Sequence, residues 1–142
     1  MQPVLLDSSI YISVLRHAGD VSPAVQQFTG GASVWLSAVV LEELYAGARA
    51  RDSQVVEILE RDFRRSQRIV VPTLYDWAVT GKVLARLAAH YGYEHIGRGR
   101  LTNDALIALS AGRLGIRVIT ANESDFRRLA EFCSFPWQVV AS

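Results

Sequence analysis

Short apolar runs alternate along this chain with longer stretches in which apolar positions recur every three or four residues. Val4-Leu5-Leu6, Val34-Trp35-Leu36, Ile69-Val70-Val71 and Arg117-Val118-Ile119-Thr120 read as strands, and Gln138-Val139-Val140 as an edge strand. Helical periodicity fills the intervals. One helix runs from an Asp7-Ser8-Ser9 cap to about Arg16, and a second starts at Ser22-Pro23 and breaks at Gly30-Gly31. Others run from a Ser37 cap to about Arg49, from Ser53 to Gln67, and from Leu74 to Tyr91. A Thr102 cap opens a helix that Gly115 ends, and a short helix covers Asp125 to Phe132. Gly92 to Arg100 is a glycine-rich basic loop. Short apolar strands alternating with amphipathic helices predict an α/β fold whose mainly parallel sheet is covered on both faces. Such folds place their sites outside the carboxyl ends of the strands.

At 142 residues the chain is expected to form a single domain, residues 1–142. A chain of this size buries enough surface to fold without disulfides, and its single Cys133 reads as a small buried hydrophobe. There is no Cys/His grouping of zinc type, no signal-peptide pattern at the N-terminus and no apolar run long enough for a membrane span. The expectation is a soluble, cytoplasmic, reduced protein that does not engage membranes. The net charge of +1 demands no polyanionic partner. Lys82 is the only lysine among 15 basic residues. Arginine forks suit phosphate, but codon bias yields the same excess, so the count decides nothing.

The acids say more. Only 20% of residues are charged, yet carboxylates stand where apolar stretches end or helices begin. Asp7 follows the first strand and opens a helix, where an N-cap role alone would explain it. Glu42 and Glu43 lie among Ala38, Val39, Val40, Tyr45 and Ala46, and periodicity does not choose between them. Asp104 is placed in a first helical turn, where the dipole favours an acid, but Ile107, Ala108 and Ala111 continue its face without a basic residue. Glu123 and Asp125 fall in a loop after the fourth strand. Clustered carboxylates repel and pay for desolvation, and a hard divalent cation such as Mg²⁺ or Mn²⁺ removes both penalties. His17, His90 and His95 are scattered, and no glycine-rich phosphate loop is present.

Four blocks, taken in order, match a known pattern: Leu6-Asp7-Ser8-Ser9-Ile10-Tyr11-Ile12, then Ser37 through Ala48 with its Glu43-Leu44-Tyr45-Ala46-Gly47, then Thr102-Asn103-Asp104-Ala105-Leu106-Ile107-Ala108, then Thr120-Ala121-Asn122-Glu123-Ser124-Asp125-Phe126. Over nearly its whole length the chain resembles PIN-domain nucleases, and within them the VapC-like toxins of bacterial type II toxin–antitoxin modules. The resemblance implies an α/β/α sandwich with a central sheet of four to five strands. It selects Glu43 over Glu42, and implies an endoribonuclease in which Asp7, Glu43, Asp104 and Asp125 hold one or two Mg²⁺ or Mn²⁺ ions. Hydrolysis would leave 5′-phosphate and 3′-hydroxyl ends, with Asp104 helping to deprotonate the attacking water. Ser9 and Thr120 would hydrogen-bond the acids. Asn122 stands where many relatives carry an acid, so Asp125 must supply the fourth carboxylate while Asn122 orients water. Arg98 and Arg100 are the expected RNA backbone contacts. The resemblance also implies a homodimer and a cognate antitoxin that plugs the site.

Other classes fit less well. A receiver domain needs adjacent acids after its first strand and a lysine after a late one, whereas Asp7 stands alone and Lys82 lies mid-helix. A haloacid-dehalogenase phosphatase needs D-x-D where this chain has Asp7-Ser8-Ser9. A degenerate PIN domain acting as a non-catalytic RNA-binding or scaffold module would not retain Asp7, Glu43 and Asp104.

Overall fold

The computed structural model describes residues 2–17, 29–93 and 100–140. Its strands are β1 (Val4–Leu6), β2 (Val34–Ser37), β3 (Ile69–Val70), β4 (Arg117–Thr120) and β5 (Trp137–Val139). The described helices are α1 (Ser8–His17), α2 (Ala38–Gly47), α3 (Ser53–Ser66), α4 (Leu74–Tyr91), α5 (Arg100–Arg113) and α6 (Glu123–Ala130). The strands form one sheet in the order β3-β2-β1-β4-β5. All pairings are parallel, with Leu5 opposite both Trp35 and Val118. Helices on both faces complete an α/β/α sandwich.

The central strands are apolar because both of their faces are covered. Val4, Leu5, Leu6, Leu36, Val118 and Ile119 are all buried. Phe126, Phe135 and Trp137 extend the core toward the β5 edge, with the Phe126 and Trp137 rings stacked at 6.4 Å.

The order of strands fixes where a site can form. From β1 the chain proceeds to β2 and β3 on one side, then returns to β4 and β5 on the other. The direction of winding therefore reverses beside β1, and a crevice opens there at the carboxyl ends of β1 and β4. Asp7 follows β1 directly and Asn122 lies two residues beyond β4.

Several element boundaries differ from the sequence expectation. Helix α5 starts at Arg100, so Thr102 lies inside it and is not its cap. Helix α6 starts at Glu123, with Asn122 as its cap, so Glu123 and Asp125 belong to a first helical turn and not to a loop. Helix α2 ends at Gly47, where Ala48 turns extended. The helix expected after Ser22-Pro23 lies outside the described residues, apart from its end at Thr29.

Candidate active site

Three distant parts of the chain deliver acids to one open cleft of about 690 Å³. Its walls include Asp7 from the junction of β1 and α1, Ser9 from α1, Glu43 from α2, Asn103 and Asp104 from α5, and Asn122 beyond β4. Small residues, Ala46 and Gly47, leave room at its edge.

Asp7 is the most constrained of the acids. It is only 3% exposed. Its backbone N–H donates to Ile119 O at 3.0 Å, which ties it to the end of β4. Its Oδ1 accepts from Ser9 N at 3.1 Å and from the Ser9 hydroxyl, so it does cap α1. Its Oδ2 accepts from Thr120 Oγ1 at 2.6 Å. The Ser9 and Thr120 hydroxyls accept in turn from the backbone N–H of Ala121 and of Asn122, so the cap, the strand ends and the acid form one network. Burial raises the Asp7 pKa, and the hydrogen bonds from Ser9, Thr120 and the backbone offset only part of that rise.

Glu43 projects from α2, whose start is set by Ser37 accepting from Val39 N. It is half-buried, and its Oε1 is shut away from solvent with no hydrogen-bond partner among the described residues. Burial raises its pKa first of all, the charges of Asp7 and Glu42 add to the rise, and hydrogen bonds from Ser8 and Asn103 oppose it. Glu42 is exposed and borders the same cleft.

Asp104 is 6% exposed. Because α5 begins at Arg100, Asp104 is its fifth residue, past the first turn, and the helix dipole does not account for it. Ala105, Ala108 and Ala111 are fully buried on the same helix.

Asp125 stands apart. It does not line the cleft, and its Oδ2 accepts from Asn122 Nδ2 at 2.9 Å. Asn122 Oδ1 faces Asp125 N at 3.5 Å and caps α6. The Asn122 side chain is thus engaged by α6 on one side and borders the cleft on the other. Arg98 lies outside the described residues, as does the side chain of Arg100.

Among the described residues no three Asp, Glu, His or Cys side chains form a ready-made cage for a metal ion. The donor set still fits a hard divalent cation. The cleft offers carboxylate and amide oxygens and no imidazole or thiol, and a buried Glu43 oxygen lacks a donor.

Two partners of Glu43, Ser8 and Asn103, escaped the reading of the sequence. Each adjoins a singled-out acid, Asp7 or Asp104, and that adjacency was the available signal. The arginines at the exit of α2, Arg49 and Arg51, were also passed over, although they follow the Glu43 helix within two turns.

A sandwich with this strand order and acids converging at its switch point defines a class of fold. The model of the PIN domain matches residues 4–132, and the chain belongs to the PIN-domain family. Among solved structures it is similar to DNA-bound VapBC from Salmonella typhimurium, at 21% identity over 98% of each chain with a TM-score of 0.67. It is also similar to VapBC2 from Rickettsia felis bound to a promoter DNA fragment, at 17% identity, 97% and 98% coverage and a TM-score of 0.65. FitAcB from Neisseria gonorrhoeae matches at 20% identity, covering 94% of this chain and 95% of that one with a TM-score of 0.64. At these identities the likeness is one of fold. No curated protein matches the sequence significantly.

Proposed function

We propose that this chain is a metal-dependent endoribonuclease of the VapC toxin kind, hydrolysing RNA to 5′-phosphate and 3′-hydroxyl ends. The observation that carries the reading is the convergence of Asp7, Glu43 and Asp104 on one cleft at the carboxyl ends of parallel strands. Asp7, Glu43 and Asp104 would hold Mg²⁺ or Mn²⁺, with Asp125 contributing more weakly from behind Asn122. When bound, the ion supplies Lewis-acid activation and shields the phosphate charge.

The chain's own groups do the rest. Ser9 and Thr120 fix both Asp7 oxygens, so that acid enters the reaction in a single orientation. Ser8 and Asn103 hold Glu43 and leave its Oε1 for an incoming group. Asp104 accepts the proton of the attacking water. The Asn122 amide, uncharged and bordering the cleft, orients water without adding repulsion.

A cognate antitoxin and a homodimer belong to the same reading. The similar Salmonella typhimurium and Rickettsia felis structures are VapBC assemblies, and a further similar structure, VapBC-5 from Mycobacterium tuberculosis, is a member of the VapBC family of toxin-antitoxin systems. No helix among the described residues is long and apolar enough to cross a membrane, and a cytoplasmic site of action is proposed.

The test is cleavage of a structured RNA in Mg²⁺ or Mn²⁺ by the wild type, Asp7→Asn and Asp104→Asn, with folding checked by circular dichroism. Each variant is expected to fold and to lose at least about 100-fold in rate, the lower range for removing a positioned acid–base group. Wild-type turnover by either folded variant would refute the site.

A further inference from the structure

A second groove, of about 540 Å³, runs on from the acid cleft and shares Ile12, Glu43 and Gly47 with it. Its floor is apolar, made by Ile12 and Leu15 of α1 and Leu44 of α2. Its rim is basic. Arg16 stands near the end of α1, and Arg49 and Arg51 follow the end of α2. Arg49 Nε lies 3.4 Å from Asp52 Oδ2, with the Arg49 side chain 57% exposed. Arg16 and Arg51 are exposed and make no ion pair among the described residues. A basic rim on an apolar floor, opening directly onto buried acids, needs an anionic chain that also carries flat apolar faces.

We propose that this groove seats the single-stranded RNA that flanks the scissile bond, with Arg16, Arg49 and Arg51 binding its phosphates and the apolar floor receiving a base. The assignment rests on the nuclease reading, because a strand whose scissile phosphate lies between Asp7 and Glu43 must leave the cleft over an adjoining surface. This groove adjoins it at Glu43 and Gly47. Charge complementarity favours the occupant: guanidinium forks match phosphate oxygens, and the acids of the cleft repel the rest of the backbone away from themselves and toward the arginines.

The experiment measures binding of a fluorescent, unstructured oligoribonucleotide in EDTA across a salt series, so that no cleavage intervenes. Arg16→Ala and Arg51→Ala are each expected to weaken binding several-fold. Each should reduce the slope of log affinity against log salt by about 0.7, the value for one phosphate contact on a single strand. Arg51→Lys should keep the slope, because the charge remains, which a purely structural role would not require. Arg86→Ala, on α4 and outside the groove lining, should leave binding unchanged. In metal-supported cleavage the Arg16→Ala/Arg51→Ala double variant should raise KM by more than it lowers kcat. Unchanged affinity and slope in the double variant would overturn the assignment while leaving the nuclease reading intact. So would loss of binding to an antitoxin peptide with RNA binding unaltered, which would make the groove a protein-docking surface. If instead no RNA is cleaved with any metal while the slope still falls with each arginine, the groove stands only as an RNA-binding surface, and the nuclease reading fails together with the assignment of the groove to a scissile strand.

Discussion

Glu42 and Glu43 are neighbours with the same chemistry, and only their surroundings differ. Glu43 is half-buried, with Oε1 lacking a donor and Ser8 and Asn103 beside it, whereas Glu42 is exposed. Glu43→Gln should therefore lower the rate of RNA cleavage by about 100-fold or more, and Glu42→Gln by no more than a few-fold. Steady-state kinetics on a single RNA substrate would measure both, and the opposite ranking would transfer the role to Glu42. The pattern of residues did not separate the two because α2 carries small or apolar side chains around most of its circumference. Asp7 was easier to read. An acid that directly follows an apolar strand in an α/β chain is already at the end of the sheet where sites form. Ser8 and Asn103 had only their adjacency to Asp7 and Asp104 as a signal, because hydrogen bonds between α1, α2 and α5 have no counterpart in sequence spacing.

At the scale of elements, α4 and α5 are joined by an ion pair that the sequence did not reveal. Asp76 is almost fully buried, shares a capping box with Thr73, and accepts from Arg113 Nε at 3.0 Å and from Arg113 Nη2 at 3.0 Å. Burial acts to raise the Asp76 pKa, but Arg113 and the Thr73 hydrogen bonds prevail and hold it below the usual 3.8. A lowered folded pKa means stability that is present above the unfolded value and lost as pH falls through the folded one. Asp76→Asn should therefore cost about 2 kcal/mol near neutrality, less than a fully buried pair because Arg113 stays partly exposed. The wild type and the variant should converge in stability as pH falls below 3.8. Denaturant unfolding at neutral and acid pH checks this, and a gap that persists in strong acid would assign the cost to packing. The boundaries of α4 were legible because Pro72 and Thr73 punctuate its start. The start of α5 was not. Thr102 is a good cap by type, but Leu101 is 4% exposed in the core, and packing it there carries the helix back beyond Thr102. At α6, Asn122 takes the capping role, which no apolar periodicity could signal in so short a helix.

For the whole molecule, two consequences concern surfaces and charge. Of the three tryptophans, Trp35 and Trp137 pack against the core, whereas Trp77 is largely exposed. Beside it Val71, Leu74 and Tyr75 are also exposed, an apolar patch where β3 passes into α4. Sedimentation should show a dimer, and Trp77→Arg should shift it to monomer, whereas a wild-type monomer at micromolar concentration would contradict the expectation. The acid cleft links folding to metal and pH. Asp7 and Glu43 both have raised folded pKa values, chiefly through burial. Stability from such groups is full below the unfolded values and is lost as pH rises through the folded ones, so the protein in EDTA should melt progressively lower above about pH 4. A divalent ion that binds only the folded cleft offsets the repulsion and adds stability in proportion to the logarithm of its concentration over Kd. The rise in melting temperature with Mn²⁺ should therefore be small in acid and grow toward neutrality. Asp104→Asn should abolish most of that rise. Asp125→Asn should abolish less of it, because Asn122 holds the Asp125 carboxylate outside the cleft lining. Calorimetry in EDTA and in Mn²⁺ over this pH range decides it: melting indifferent to Mn²⁺ throughout would remove the metal from the cleft, and equal losses in the two variants would place Asp125 on the ion beside Asp104.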